Sequence, residues 1–402
     1  MMSIQYRSPS NFDELNDTIF CSMCSFDWVE NGFSDDHFFS RIVKFDPWFS
    51  LNNTRACFLD GQAVSVVVVF ERPMRIRSSV IRMGGLGSVG THPAYRRKGY
   101  SAQVLSNTVD YLIDSGFDIS LLFTGINHHY EKADWVTYPV SYRKVDLNKD
   151  NLPLNKTSDN DISIDICNFS KDINDLMTIY EQFNQNRTGT IVRNQAYWQS
   201  QPKWRSQTND LFWLAKTKDN GEVLAYLKGD EKHLLEIGSR IDSPLATSAL
   251  DQLVTHFVHN RLDNGQEQIR VNQCQEVEGI LDRLGLHSYI CQDDHFMFRI
   301  TNFSSLLSKL TPQLEMRIAK SDWKGWNGSI RISYELDSAT MTISDGEISL
   351  TKNEPSINLE LNHLQVLQLI FGELPALVLS DHPILSVLFP PDHLIYWSPD
   401  NF

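Results

Sequence analysis

The chemistry written most plainly into this sequence is anion binding at the start of one helix. A run of small residues ending in Val89, Gly90 and Thr91 leads through a turn to Arg96, Arg97, Lys98, Gly99, Tyr100, Ser101 and Ala102, where a helical pattern begins. The free amides of a helix's first turn point one way, and the helix dipole favours an anion there. Gly99 lets a ligand approach the backbone closely, and the three cations add charge. Together these features make a pyrophosphate cradle. The spacing is neither that of a nucleotide P-loop nor the G-x-G-x-x-G of a dinucleotide fold. On composition alone, such a cluster also fits a solvated surface.

The elements that must position this cradle follow from periodicity. Up to residue 147, helical patterns at 13–25 and 36–45 precede extended runs at 55–60 and 62–72, joined by a turn at Asp60-Gly61. A third extended run, 78–90, contains Gly84, Gly85 and Gly87, which suggest a bulge or the close approach of a ligand. The helix over 97–115 carries Val104, Leu105, Val109, Leu112 and Ile113 on one face and stops at Gly116. A short strand (118–124), a short helix near His128-His129-Tyr130 and a strand over 137–146 complete this region.

A polar, turn-rich segment at 146–160 reads as a linker. The region 148–300 then repeats the order of elements, which points to an internal duplication. Where the first region has AYRRKGYSA, the second has SPLATSA, without the basic cluster or the glycine. The region 301–402 opens with helix SSLLSKL, followed by four alternating strands and two apolar helices, an α+β pattern.

Composition sets the outer bounds. The 402 residues, 41% hydrophobic and 21% charged, are ordinary for a globular protein of two or three domains. A net charge of −14 argues against general nucleic-acid or anionic-membrane binding and permits a cationic ligand. The run AVSVVVVF at 63–70 is too short to span a bilayer and suits a buried strand. The N-terminus lacks the apolar segment of a secretory signal, so a cytoplasmic location is expected. The cysteines are dispersed, which suggests reduced thiols. Cys21 and Cys24 form a lone C-x-x-C without a second ligand pair, and helical spacing around them favours buried or half-buried thiols over zinc. No metal is expected.

Arg96 to Ser101 match the Q/R-x-x-G-x-G/A signature of the GNAT N-acetyltransferases, with Ser101 in the last small position. This resemblance places acetyl-CoA along Val89, Gly90 and Thr91, with its phosphates on Arg97 through Ala102. The segment HHYEKADW resembles the family's Y-x-x-x-G-F, with Asp134 in place of the glycine, since Asp tolerates left-handed geometry. The resemblance makes Tyr130 the general acid for the departing thiolate; a packed tyrosine with a wet hydroxyl is the alternative. His128 and His129 are adjacent on a helix, point apart and read as surface residues.

Along nearly its whole length the chain resembles the Eis-like ("enhanced intracellular survival") acetyltransferases. The fold so implied is mixed α/β and α+β: a GNAT lobe at 1–147 with the acetyl-CoA site, a second GNAT-like lobe at 148–300 without it, and a sterol-carrier-like α+β domain at 301–402 with a functional C-terminus. NRTGTIVRNQAYWQ resembles a recurring stretch of the second lobe. Relatives end in an aromatic residue that enters the active site, which makes the Phe402 carboxylate a candidate base or ammonium anchor; an apolar residue docked on a core is the alternative. Asp27 and Glu30 lie on the family's substrate side with Trp28 as an apolar wall, or are solvated helix-end charges. Relatives form hexamers, so a homo-oligomer is implied.

The expected function is acetyl transfer from acetyl-CoA to an amine in a ternary complex, with polycationic small molecules such as aminoglycosides as family precedent. A protein or peptide lysine acetyltransferase is one rival. A non-catalytic apolar-ligand carrier with a vestigial cradle is another.

Overall fold

The computed structural model describes residues 3–26, 38–147, 161–204 and 211–402. The first elements are β1 (Ile4–Arg7), α1 (Phe12–Ser25), α2 (Phe38–Phe45), β2 (Thr54–Leu59), β3 (Gln62–Ile76), β4 (Ser79–Thr91), α3 (Tyr100–Asp114), β5 (Ile119–Phe123), α4 (Asn127–Glu131), β6 (Val136–Thr137) and β7 (Val140–Asp146). The next are β8 (Ile162–Ile166), α5 (Phe169–Asn184), α6 (Gln195–Trp204), β9 (Leu211–Thr217), β10 (Val223–Gly229), β11 (His233–Ser239), α7 (Ala246–Asp263), β12 (Gln268–Asn272), α8 (Gln275–Arg283), β13 (Ser288–Asp293) and β14 (Phe296–Ile300). The last are α9 (Phe303–Ala319), β15 (Gly328–Ser333), β16 (Ser338–Ser344), β17 (Glu347–Thr351), β18 (Ile357–Glu360), α10 (His363–Phe371) and α11 (Pro383–Leu388).

Two seven-stranded sheets run in the orders β1-β2-β3-β4-β5-β14-β6 and β13-β7-β12-β11-β10-β9-β8. Each is built from an antiparallel meander of four strands, a helix, and a fifth strand parallel to the fourth. The parallel step requires a crossover, which α3 and α7 provide.

The sheets do not divide at the expected boundaries of 147 and 300. β14 leaves the second region and lies antiparallel to β5 and β6 in the first sheet, while β7 leaves the first region and lies between β12 and β13 in the second. The two regions therefore exchange strands. The last four residues of β14, FMFRI, are buried, which suits the interior position it takes between β5 and β6.

The third region has a four-stranded sheet, β17-β16-β15-β18, with β15 and β18 parallel. Its core is continuous with one face of the first sheet: Met74, Ile76, Met83 and Leu121 share a cluster with Leu310, Leu314, Ile330 and Leu367. Helix α9 is longer than SSLLSKL and runs through Pro312, because Leu306, Leu310, Leu314 and Ile318 carry the buried stripe across it. His363, at the start of α10, accepts a hydrogen bond from the Ile300 amide at 3.1 Å and so pins this region to β14.

Candidate active site

The cradle sits where two parallel strands part. β4 and β5 pair from Met83–Ile119 to Leu86–Leu122 and then separate, although β4 continues to Thr91. A bulge begins at the same place. Val68 pairs with Gly87 and Val66 with Gly90, so Ser88 and Val89 oppose Val67 alone, and Ser88 adopts φ +51°. Bulges of this kind bend a strand and re-aim its groups. Beyond Leu86, the β5-facing edge of β4 has no ladder partner among the described residues.

Past Thr91, a short turn leads to Gly99 at φ +85°, the N-cap of α3. Gly99 brings no side chain to the helix end, and a Cβ built there would meet nothing within 4 Å. No side chain caps the first-turn amides of α3, which suits a phosphate there. The basic cluster divides its work. Arg96 donates to the Ser25 carbonyl (2.8 Å) and to the Thr91 carbonyl (3.3 Å), clamping the strand end to α1. Lys98 lies over the Tyr95 ring, and Arg97, at φ +62°, is exposed.

Tyr130, on α4, is buried on the α3 face of the sheet with Leu86, Val104, Leu105 and Leu122. Burial pushes its phenol up to about 12, with a hydrogen bond from the Thr124 side chain partly opposing. At neutral pH this hydroxyl keeps its proton. Asp134 takes φ +61°, and its carboxylate accepts from Arg299 at 2.8 Å. His128 is exposed, but His129 departs from the surface reading: it is half-buried and bonded to Ser101.

Phe402 reaches the other face of the same sheet. Its ring packs on Phe70 (centroids 5.6 Å) and Phe123 (5.2 Å). A Cβ at Gly85 would overlap this ring, and one at Gly87 would stand 3.4 Å from the Phe402 carboxyl carbon. The glycines of β4 thus mark both a bulge and a close approach, and what approaches is the last residue of the sequence. Val89, Gly90 and Thr91 lie on the open strand, with Gly90 against Ser25 of α1. Asp27, Trp28 and Glu30 lie outside the described residues.

A buried ionic network holds the segment that ends in Phe402. Asp400 accepts two hydrogen bonds from Arg193, both at 2.8 Å, and one from the Tyr197 hydroxyl at 3.0 Å. Arg193 also donates to Glu236, which accepts from the Tyr226 hydroxyl at 2.7 Å. All three charged side chains are fully buried. Burial alone would raise the Glu236 carboxyl, but the Arg193 guanidinium outweighs it and holds Glu236 below its ordinary value. Sequence reasoning missed this network; its only trace is an arginine in the apolar-aromatic stretch NRTGTIVRNQAYWQ.

A cavity of about 530 Å³ opens beside this site, lined among others by Phe123, Thr124, Tyr142, Arg270, Tyr396 and Asn401. At its edge Asp293, Asp294 and His295 form a group of metal-capable side chains, of which Asp293 is also bonded to Arg270. The thiol of Cys21 is pushed up to about 12 by burial, which keeps it protonated and disfavours metal binding.

Residues 13–137 match the family model described as an acetyltransferase (GNAT) domain. The matched stretch spans the lobe that carries the cradle. Domains of this kind move an acetyl group from acetyl-CoA to an acceptor. Over the whole chain, three solved structures share the fold. One is a conserved protein of unknown function from Enterococcus faecalis described as a probable N-acyltransferase (TM-score 0.72, 14% identity, covering 96% of this chain and 95% of that one). The others are a GCN5-related N-acetyltransferase from Anabaena variabilis (0.70, 15%, 98% and 100%) and Eis1 from Mycobacterium abscessus (0.66, 12%, 100% of each). No curated protein matches the chain by sequence. Among the described residues, no helix is long and apolar enough to cross a membrane.

The geometry of the matched lobe suits such a coenzyme. An uncapped helix start with open space before it suits the pyrophosphate, and an unpaired strand edge suits the amide-bearing arm.

Proposed function

We propose that this protein acetylates an amine by direct attack within a ternary complex, and that its acetyltransferase domain holds the coenzyme. The observation that carries this reading is the convergence of three features on one strand splay. These are the open cradle at Gly99, the protonated Tyr130 on one face of the sheet and Phe402 on the other.

Acetyl-CoA supplies an activated acyl group and a thiol leaving group. The amides of Gly99 to Ala102 hold the phosphates, with Arg97 and Lys98 adding charge. Amides of β4 beyond Leu86 donate to the acyl oxygen, where negative charge develops in the transition state. Tyr130, kept protonated by burial, gives its proton to the departing sulfur. The carboxylate of Phe402 holds the incoming ammonium and orients a water that takes its proton. The neutral amine then attacks, the proton its nitrogen sheds restores the Tyr130 phenol, and a shared site supplies proximity. The cavity beside Phe123 and Asn401 provides room for the acceptor.

The wider assignment belongs to the same proposal. It comprises an Eis-like architecture with a second GNAT-like lobe, a sterol-carrier-like third domain serving as scaffold, homo-oligomerisation and a cytoplasmic location. Whole-chain likeness of fold to Eis1 supports the architecture. In the third region the cavity between α9 and α10 measures about 10 Å³, too small for a sterol-sized guest. Polycationic amines such as aminoglycosides fit the net charge of −14. The test is thiol release from acetyl-CoA with a panel of polyamines, aminoglycosides and lysine peptides. Acetylation of a small polyamine or aminoglycoside supports the reading, and transfer confined to peptides moves the substrate class to lysine side chains. Coenzyme binding without transfer to any amine would overturn it.

A further inference from the structure

Ser101 stands where the GNAT pattern has glycine or alanine, and the structure gives its hydroxyl a partner. Ser101 Oγ lies 2.9 Å from Nε2 of His129, across 28 residues of chain. Ser101 is the second residue of α3, so its amide is among the first-turn donors of the cradle. His129 lies on α4, directly before Tyr130.

Helix α4 has five residues and no side-chain cap. A helix this short does not hold itself, so tertiary contacts must fix it. Three do so. Tyr130 is packed in the core, and Asn127 donates to the Thr137 hydroxyl (2.7 Å) and the Asp294 carbonyl (2.8 Å). The third is the His129–Ser101 bond, which reaches the coenzyme cradle itself. The His129 ring also meets the Tyr130 ring edge-on, with centroids 5.1 Å apart. Burial, and then Lys132, lower the His129 pKa, so at neutral pH the ring is uncharged and Nε2 can accept the serine proton.

We propose that His129 is a positioning residue for acetyl transfer. Through Ser101 it locks α4 to the first turn of α3 and so sets the phenol of Tyr130 against the acyl group of a coenzyme seated in the cradle. The inference rests on the acetyl-transfer reading above, and its own prediction concerns turnover rather than binding.

The experiment measures coenzyme A affinity by calorimetry, turnover on the amine of the panel acetylated fastest, and melting temperature. The proteins are the wild type, Ser101→Ala, His129→Leu, His129→Gln and the same changes in a Tyr130→Phe background. Ser101→Ala and His129→Leu should each lower kcat by roughly tenfold while coenzyme affinity stays within about threefold. His129→Gln, whose amide oxygen accepts from Ser101, should recover most of the loss. In the Tyr130→Phe background the same changes should cost less than about twofold, because the group they position is gone. Should His129→Leu fold poorly, Ser101→Ala removes only a hydroxyl and carries the test. Wild-type kcat in Ser101→Ala overturns the inference, as does a loss that persists in full without the Tyr130 hydroxyl. A wild-type protein that binds no coenzyme A sinks the acetyl-transfer reading itself, which silent variants of an active enzyme do not.

Discussion

The two seven-stranded sheets use the same elements to opposite ends. At the start of α3, Gly99 stands at φ +85° with open space before it. At the start of α7, Leu245 takes an ordinary helical conformation and packs against the core of its own sheet. In β4, the space over Gly85 is filled by Phe402 from the far end of the sequence. In β11, the space over Gly238 is filled by Tyr226 from the neighbouring strand, whose hydroxyl donates to Glu236. Neither helix start has a side-chain cap, so the two differ in what stands there: a bare glycine at α3 and a packed leucine at α7. The filled lobe has a different use: through Glu236 and Arg193 it grips Asp400 and delivers Phe402 to the open one.

Breaking the open cradle should have the largest effect. Gly99→Asp forces a side chain into left-handed backbone and sets a carboxylate against the phosphates. Coenzyme affinity should fall by roughly 10³-fold in calorimetry, while Leu245→Gly in the second lobe should create no new site. Next is the grip on Asp400. Arg193→Leu leaves two buried carboxylates without their cation and should cost about 3–5 kcal/mol in denaturant unfolding. Retention of wild-type stability would show that the network is ornamental. Third, Tyr130→Phe should lower kcat by roughly 10²-fold with unchanged coenzyme affinity. With the phenol held near 12, the wild type should keep its acid function through alkaline pH, so no loss of kcat from this group is expected below pH 10.

The paired glycines sharpen the comparison further. Gly85→Ala should displace Phe402 and lower turnover by about tenfold. Gly238→Ala crowds Tyr226 instead and should cost about 1–3 kcal/mol of stability by overpacking, leaving coenzyme affinity intact. The smallest effect concerns the joint to the third region. Burial first, then Arg299, push His363 down to about 4. Its folded pKa lies below its unfolded one, so the unfolded chain binds more protons in between. Stability is then complete above about pH 6.5 and declines toward pH 4, by about 1–2 kcal/mol between pH 6.5 and 5. His363→Gln should flatten that slope in pH-dependent melts.

What could be read from the sequence was local. The cradle is one contiguous stretch, Val89 to Ala102, and helix-end physics makes it legible without partners. Left-handed backbone at Asp134 and the turn at Asp60-Gly61 are equally local. The strand exchange was not legible, because periodicity says that Phe296–Ile300 is a buried strand but not beside which strand it lies. Arg193 reaches Glu236 and Asp400 across 43 and 207 residues, and no spacing rule spans such gaps. His129 was misread for a related reason: adjacent helix residues do point apart, but that does not say which of the two meets Ser101. The helix read at SSLLSKL extends to Ala319, carried past Pro312 by a buried stripe of Leu310, Leu314 and Ile318.

The central claim is that a single open cradle, in the first lobe, serves the whole chain. Calorimetric titration of the full-length protein with coenzyme A tests it most directly. The account predicts one site per chain in the wild type and none in Gly99→Asp. Two sites per chain, or one site that survives Gly99→Asp at full affinity, would contradict it.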